Sequence, residues 1–285
     1  MAVHWATPFE GGGYDQCVPR PSPLARELQV AQEAARAAGR IQVDLYERLE
    51  RIVHKSEKDV VTEADHLSEE AILEAIRTAF PGDAFLAEES GHSGPRVGGD
   101  ASLPRRLWVV DPLDGTVNYA NGLPFFAVSI GLVIDGRAEL GVILDPLRDE
   151  LFSAVRGGTA RLDGRPIRLP DKEKLNDLVV HVGLPRTGFA RRNARIRKAV
   201  RITRSMGSAA LALAYLANGR FDAYVQWSGL SAWDICAAGV IAEAGGARVS
   251  TPDGGPWFDL SRAGQSIGLV AASPGHHGSL LGMLA

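Results

Sequence analysis

Short apolar segments separated by turn residues occupy the chain from residue 84 to residue 164, and this pattern predicts a β-sheet. Two of the longer segments, Phe126–Ile134 and Ala138–Leu144, flank Asp135-Gly136, a dipeptide typical of tight hairpins. A second turn signal stands at Asp163-Gly164. Because neighbouring segments are joined by such short turns, we expect this sheet to be antiparallel. The further strands predicted here are Ala84–Ala87, Leu107–Val110 and Leu151–Val155.

Helices and strands alternate elsewhere in the chain. Five stretches are predicted to be helical, one of them basic, and two apolar runs between them predict strands of a second, helix-flanked sheet. The expected fold class is therefore α+β or α/β with stacked layers. The predicted helices are Leu24–Arg51, His66–Phe80, Ala190–Ala199, Ser208–Asn218 and Trp233–Ala244, and the predicted strands are Leu178–Val182 and Phe221–Val225.

The length of 285 residues suits one large domain or two subdomains that share an interface. We predict an N-terminal subdomain over residues 24–165 and a C-terminal subdomain over residues 166–285. Residues 1–23 are rich in Gly and Pro and have no periodicity, so we expect a mobile extension.

Composition narrows the range of partners. A net charge of −3 gives no general signal for nucleic acid or membranes, and neither partner is expected. There is no apolar run long enough for a transmembrane helix and no signal-peptide pattern at the start. Cys17 and Cys236 lack metal-ligand spacing, and a reduced, cytoplasmic location is expected.

The segment Asp111-Pro112-Leu113-Asp114-Gly115-Thr116 carries the clearest chemical signal. A buried strand ends in one carboxylate, a second follows three residues later, and Gly115 permits close approach of the backbone to an anion. Two carboxylates this close repel each other unless a cation lies between them. Hard oxygen ligands favour Mg²⁺, Mn²⁺ or Ca²⁺ over Zn²⁺. The alternative interpretation is a solvated turn, since Asp-Pro and Asp-Gly are common turn dipeptides.

Three more acidic segments occur at strand or helix ends. Glu88-Glu89 follows an apolar strand, Asp234 stands at the start of an apolar helix, and Asp65 ends the polar stretch from Lys55. Singly, each has an ordinary explanation as a solvated loop or a helix cap. Together with Asp111 and Asp114, they indicate a shared metal site.

Five segments resemble the inositol monophosphatase family of Mg²⁺-dependent, Li⁺-sensitive phosphatases. Their order and spacing fit the family from about residue 24 to residue 285. The segments are Lys55–Asp65, Glu88–Ser90, Asp111–Gly131, Arg204–Ala210 and Trp233–Gly246. The resemblance implies an αβαβα sandwich whose two subdomains share one active site, and a homodimer.

The resemblance also implies roles for individual residues. Glu88, Asp111 and the Leu113 carbonyl would hold a first Mg²⁺. Asp111, Asp114 and Asp234 would hold a second, and Glu88 would help to place a weaker third. The N–H groups of Gly115 and Thr116 would bind phosphate, while Asp65 and Thr116 would orient and deprotonate the attacking water. Glu89 would support the ligands, and Lys55 would lie in a mobile loop near the site.

The substrate side is where the chain departs from the family. A Glu that binds ring hydroxyls usually stands seven residues before the Trp-Asp aspartate, and counting back from Asp234 reaches Trp227. Trp227 could stack on a sugar or base, or it could simply pack beside the pocket, with Gln226 reaching in instead. Gly183 begins another substrate-side loop, in which Arg186 is a candidate contact. The Arg191–Arg204 cluster could contact a second phosphate or form a solvated helix face.

The leading functional prediction is Mg²⁺-dependent hydrolysis of inositol 1-phosphate or a similar sugar or polyol phosphate. Alternatives on the same scaffold are phosphatases of 3′(2′),5′-bisphosphate nucleotides, fructose 1,6-bisphosphate or histidinol phosphate. A regulatory binding protein is a different class, which the intact acidic set disfavours. The sequence contains neither a Gly-x-Ser-x-Gly elbow nor a Walker-type phosphate loop, which argues against a serine hydrolase and a P-loop NTPase.

Overall fold

A computed structural model of the protein describes residues 23–48, 52–56, 59–94, 104–183, 190–262 and 266–284. For residues 52–56, 59–60, 190–192 and 262 the description covers the backbone alone. The extension predicted for residues 1–23 lies outside the described residues, except for Pro23. Arg186 also lies outside the described residues.

Two strands form a hairpin before the main sheets, and seven α-helices occur in the described part of the chain. The hairpin consists of β1 (Ile52–Ser56) and β2 (Asp59–Thr62). The helices are α1 (Ala25–Leu45), α2 (Glu63–Ala79), α3 (Thr116–Ala120), α4 (Ala190–Ala199), α5 (Ala209–Ala217), α6 (Ala232–Ala244) and α7 (Pro274–Leu284).

The first main sheet has eight strands. They are β3 (Ala84–Ala87), β4 (Gly91–Ser93), β5 (Arg106–Asp114), β6 (Ala127–Ile134), β7 (Arg137–Asp145), β8 (Glu150–Val155), β9 (Arg161–Leu162) and β10 (Arg165–Pro166). The spatial order is β10-β9-β8-β7-β6-β5-β3-β4. All neighbours are antiparallel, as predicted, except β3 and β5, which run parallel.

The second sheet has five strands in the order β12-β11-β13-β15-β14. They are β11 (Val179–Val182), β12 (Ile202–Arg204), β13 (Ala223–Leu230), β14 (Arg248–Ser250) and β15 (Ile267–Ala272). β11 is parallel to both β12 and β13, and the other pairs are antiparallel.

Five layers stack in the order α, β, α, β, α. Helices α1 and α2 cover the outer face of the first sheet, and α5 and α6 lie between the two sheets. Helices α4 and α7 cover the outer face of the second sheet. The middle core joins residues of both halves, such as Phe152 from β8 and Ile235 from α6. The predicted boundary at residues 165 and 166 falls within β10, the edge strand of the first sheet.

Two facing glycines let α6 approach the first sheet closely. Gly131 and Gly141 are cross-strand partners on β6 and β7. A Cβ atom on Gly131 would lie 2.5 Å from the Cys236 Sγ atom, and one on Gly141 would lie 2.3 Å from the Ala237 carbonyl oxygen. Because α6 carries Asp234, these glycines set how near that aspartate comes to the strand that carries Asp111.

Several element predictions were wrong in extent. The first helix ends at Leu45 instead of Arg51, because the backbone of Tyr46 is extended, with ψ of 130°, and Glu47 follows with a left-handed φ of 60°. The strand expected to stop at Val110 continues to Asp114, although its pairing with β6 is irregular between Asp111 and Asp114. The sequence prediction did not include strands β1, β2, β4, β9, β10, β12, β14 and β15 or helices α3 and α7.

None of the helices in the described part of the chain has the length and apolar character needed to cross a lipid bilayer.

Candidate active site

Three aspartates from two different layers meet in one cluster. Asp111 and Asp114 come from the end of β5, and Asp234 comes from the first turn of α6. One carboxylate oxygen from each lies within 4.8 Å of the others. The Glu88 side chain, which follows β3, is hydrogen-bonded to Asp111 and joins the same cluster. The structure thus brings together the four carboxylates that the sequence assigned to metal binding.

The cluster is strongly acidic; Asp111 and Asp114 are buried, whereas Glu88 and Asp234 are partly exposed. Burial raises the pKa of Asp111 well above its ordinary value, and the charges of Glu88, Asp114 and Asp234 raise it further. Burial and Asp114 likewise raise the pKa of Asp234. Hard oxygen donors converge here, and their mutual repulsion is what a divalent cation relieves, so the residues present fit Mg²⁺.

Asp114 is held by the start of α5, a contact that the sequence prediction did not include. The Ser208 hydroxyl donates a short hydrogen bond to the Asp114 carboxylate, and the Ala210 N–H donates another at 2.6 Å. Burial raises the pKa of Asp114, whereas these hydrogen bonds oppose the shift because they stabilise the charged form. The Ser208 oxygen also accepts the Leu211 N–H and so caps α5. The N-cap pattern of Ser208 was visible in the sequence, but its partner 94 residues away was not.

Asp65 and Thr116 lie together beside the cluster. The Thr116 hydroxyl is 3.0 Å from the Asp65 carboxylate and 3.0 Å from the Leu113 carbonyl. The other Asp65 oxygen accepts the N–H and the hydroxyl of Thr62, forming the capping box of α2. Gly115, which precedes α3, has a φ of 103°, a conformation that favours glycine.

Glu69 supports the loop that carries Glu88, a role absent from the sequence prediction. Its two carboxylate oxygens accept the N–H groups of Glu89 and Ser90, each at 2.9 Å. Glu69 is buried on α2. Lys55, expected in a loop, has its backbone in β1, and its side chain lies outside the described residues.

A cavity of about 270 Å³ opens next to the aspartates. Its walls come from β11, the segment leading into α5, the end of β13 and the cluster itself. This volume is close to the lower end of the range of roughly 300–1,000 Å³ seen for small-molecule sites. The lining residues are Asp114, His181, Gly183, Ser205, Gly207, Ser208, Ala209, Gln226, Gly229, Leu230 and Asp234.

Gln226, not Trp227, lines this cavity. Trp227 packs against the cluster of apolar residues on the outer face of the second sheet, near α4 and α7. The pairing of β13 with β15 is irregular between Gln226 and Leu230, so counting seven residues back from Asp234 does not identify the inward-facing side chain. Of the two interpretations of Trp227, the geometry favours packing beside the pocket over contact with substrate, and Gly183 lies in the cavity wall.

Gly183 makes room for the Gln226 side chain. A Cβ atom at residue 183 would lie 2.0 Å from the Gln226 Oε1 atom. The Tyr224 hydroxyl donates to that oxygen at 2.5 Å, and the Gln226 amide nitrogen donates to the Ser228 carbonyl at 3.1 Å. His181 stacks on Tyr224 with ring centroids 4.9 Å apart. Burial lowers the pKa of His181 to about 4, so its ring is neutral near pH 7.

The stacked αβαβα layers and the carboxylate cluster beside a small cavity define the protein as a phosphatase, a phosphoric monoester hydrolase. The chain belongs to the inositol monophosphatase family, whose sequence pattern matches residues 24–284. Enzymes of this family generally use Mg²⁺, and the cluster of Asp111, Asp114 and Asp234 could hold it.

Two names occur among the similar proteins, Nus factor SuhB and inositol-1-monophosphatase. The chain is 41% identical over 256 residues to a "Nus factor SuhB" from Pasteurella multocida, covering 87% of this chain and 91% of the relative. It is 39% identical over 236 residues to an "Inositol-1-monophosphatase" from Mesorhizobium japonicum, covering 80% and 86%.

Solved structures show the same fold. Extragenic suppressor protein suhB from Bartonella henselae superposes with a TM-score of 0.82 at 33% identity, covering 91% of this chain and 98% of that one. An inositol monophosphatase from Anabaena (Nostoc) gives a TM-score of 0.78 at 34% identity, with coverage of 92% and 96%.

Proposed function

We propose that the protein hydrolyses small phosphate monoesters with Mg²⁺, and that inositol 1-phosphate or a similar polyol phosphate is a substrate. The proposal rests on one observation: the carboxylates of Asp111, Asp114 and Asp234 lie close together at the edge of a small cavity. The family and the relative named inositol-1-monophosphatase support the choice of substrate class.

In this proposal Glu88, Asp111, Asp114, Asp234 and the Leu113 carbonyl hold two or three Mg²⁺ ions. Bound Mg²⁺ supplies charge neutralisation of the phosphate, a lower pKa for the attacking water and stabilisation of the leaving alkoxide. Because bound Mg²⁺ would supply these effects, the reaction does not need a serine or cysteine nucleophile.

The chain's own residues move the proton and orient the phosphate. The Thr116 hydroxyl can accept a proton from the attacking water while passing its own proton to Asp65, with which it is in hydrogen-bond contact. Asp65 is locked by its second oxygen to Thr62, so the receiving oxygen keeps a fixed position. The backbone N–H groups of Gly115 and Thr116 are the proposed phosphate ligands.

The substrate proposal is tested with a panel of phosphate esters, with and without Mg²⁺. We expect phosphate release from inositol 1-phosphate that depends on Mg²⁺. Activity on adenosine 3′,5′-bisphosphate far above that on inositol 1-phosphate would instead support a nucleotidase.

The metal site is tested with Asp111→Asn. Because Asp111 contributes to both proposed metal sites, we expect a loss of activity of about 10³-fold or more. The matched control is Asp135→Asn, which removes an exposed carboxylate at the tip of the β6–β7 hairpin and should leave turnover unchanged. Phosphatase activity that survives Asp111→Asn would show that the metal assignment is wrong.

Two further expectations follow from the family resemblance. Li⁺ should inhibit turnover by replacing one weakly held Mg²⁺, which a titration of activity against LiCl measures. A homodimer is expected by sedimentation. Undiminished activity at high millimolar Li⁺ would mean that the second metal site differs here.

A further inference from the structure

Gln42, a polar residue of α1, reaches the loop that carries the aspartates. Its side chain is fully buried, although glutamine is mostly a surface residue. The Nε2 atom donates to the Pro112 carbonyl at 2.6 Å and to the Ser68 hydroxyl at 3.4 Å. Pro112 stands between Asp111 and Leu113 in the sequence. Helix α1 is thereby joined to the end of β5 through the Gln42 amide.

The Gln42 amide has one favourable orientation. The two N–H groups of its nitrogen match two acceptors, the Pro112 carbonyl and the Ser68 hydroxyl. In the reverse orientation the Oε1 atom would face the Pro112 carbonyl oxygen, and two acceptors repel each other. Oε1 has no hydrogen-bond partner among the described residues, and a buried polar atom without a partner is costly. The contribution of this amide is therefore donation to Pro112.

The peptide that links Pro112 to Leu113 is held on both sides. Gln42 holds its carbonyl oxygen, and its N–H, which belongs to Leu113, donates to the Asp111 Oδ1 atom at 3.0 Å. A trans peptide is planar, and its C=O and N–H point in opposite directions. Because the C=O is held toward α1, the N–H points away from α1 and toward the Asp111 carboxylate. Gln42 thus orients the donor that binds Asp111.

Strand pairing does not fix this peptide by itself. The pairing of β5 with β6 is irregular between Asp111 and Asp114, and Pro112 has no N–H to donate to a neighbouring strand. Asp111 also lies among the other carboxylates of the cluster, which repel it. An anchor from outside the sheet is what keeps its carboxylate turned toward the cluster.

We propose that Gln42 is a positioning residue for the metal site: by holding the Pro112 carbonyl, it fixes the N–H that anchors the Asp111 carboxylate. This inference rests on the proposed phosphatase function, in which Asp111 is a ligand at two Mg²⁺ sites and the Leu113 carbonyl is a ligand at one. Groups that orient metal ligands typically contribute about 10–100-fold to metal affinity. Gln42 acts through the backbone and touches neither metal nor substrate.

The test uses Gln42→Met, which keeps a side chain of similar length but removes both N–H donors. The matched control is Gln32→Met, the same change on the same helix, which removes a hydrogen bond to the Ser153 hydroxyl at 3.3 Å on β8. Two quantities are measured. Calorimetry gives the Mg²⁺ affinity, and NMR gives the hydrogen-exchange rate of the Leu113 amide in the metal-free protein.

We expect Gln42→Met to weaken Mg²⁺ binding by about tenfold or more. In the metal-free wild type the Leu113 amide should exchange slowly, and in Gln42→Met it should exchange about tenfold faster. Gln32→Met should leave both quantities unchanged. The Val109 amide, on the regular part of β5, is the internal reference for general stability, so the Leu113 rate must rise by more than the Val109 rate.

The proposal is overturned if Gln42→Met binds Mg²⁺ as tightly as Gln32→Met, or if its Leu113 rate rises no more than its Val109 rate. Rapid exchange of the Leu113 amide in the wild type would also overturn it, whether or not Gln42→Met folds. A wild type that binds no Mg²⁺ would instead overturn the metal site of the proposed function. In that case the Leu113 exchange rates still decide whether Gln42 holds the peptide.

Discussion

The side chains of Asp65 and Asp234 each make two kinds of contact, one with the backbone of a helix start and one within the candidate site. Asp65 caps α2 with one oxygen and contacts Thr116 with the other. Asp234 accepts the Ser231 N–H at 2.7 Å while its side chain also contacts Asp111. The helix-cap interpretation of these acids is therefore confirmed, and it is compatible with a role in the proposed active site. Fixing one oxygen of an aspartate to the backbone leaves the other in a defined position.

The serine that holds Asp114 gives a prediction at the scale of one residue. Ser208→Ala removes the hydroxyl that donates to Asp114 and caps α5. Residues that orient metal ligands typically contribute 10–100-fold to metal affinity, so we expect Mg²⁺ to bind about tenfold more weakly. Loss of the cap should also lower the free energy of unfolding by about 1 kcal/mol.

The Mg²⁺ concentration that gives half-maximal activity, together with urea unfolding, checks both effects. Ser261→Ala is the matched control, because its hydroxyl donates to Asp259 at 2.7 Å on the exposed surface. If Ser208→Ala lowers stability as expected but leaves the Mg²⁺ requirement equal to that of the control, Ser208 does not orient Asp114.

At the scale of elements, the position of α6 on the first sheet determines the distance between Asp234 and Asp111. Gly141→Ala would force a Cβ atom to within 2.3 Å of the Ala237 carbonyl. Because backbone cannot move aside as a flexible side chain does, we expect a loss of about 1–3 kcal/mol in the free energy of unfolding. The shift of α6 should weaken Mg²⁺ binding as well.

Chemical denaturation with and without Mg²⁺ measures this effect. Gly278→Ala is the control, since a Cβ atom there meets nothing within 4 Å on helix α7. That change should be neutral or stabilise by up to about 1 kcal/mol, because alanine is the better helix former. Equal effects of the two substitutions would mean that the close contact of α6 with β7 does not constrain the site.

Local patterns predicted five of the seven helices in the described part of the chain and the central strands of the first sheet, because those signals lie within a few neighbouring residues. The β6–β7 hairpin and the Asp111–Thr116 segment are examples. The substrate wall could not be predicted in this way. The irregular pairing between Gln226 and Leu230 breaks the alternation on which counting back to Trp227 depended. The contact of Ser208 with Asp114 needs the packing of α5 between the sheets, which no local pattern contains.

At the scale of the whole molecule, the carboxylate cluster lies where the first sheet meets the middle helical layer, and the repulsion within it depends on pH. Asp111 and Asp114 belong to the first sheet, whereas Asp234 belongs to the middle helical layer that packs on both sheets. Their charges repel across this junction. A cation bound among them would link the layers and remove the repulsion.

The raised pKa values give the sign of the pH dependence without metal. The folded protein keeps protons on Asp111, Asp114 and Asp234 that the unfolded chain releases above its ordinary pKa of 3.8. Where the folded state binds more protons than the unfolded state, the free energy of unfolding falls as pH rises. His181 and His277 act in the opposite direction below about pH 7, because burial lowers their pKa from 6.5.

We therefore expect the stabilisation by Mg²⁺ to grow as pH rises from about 5 to about 8, since the metal displaces protons that are held less tightly at higher pH. The measurement is the shift in Tm on adding Mg²⁺, taken across this range for the wild type and for Asp111→Asn. The histidine contributions cancel in this comparison because both proteins retain His181 and His277. The pH-dependent part of the shift should be much smaller in Asp111→Asn. A Mg²⁺ shift that is the same at every pH in the wild type would mean that the metal does not bind at these carboxylates.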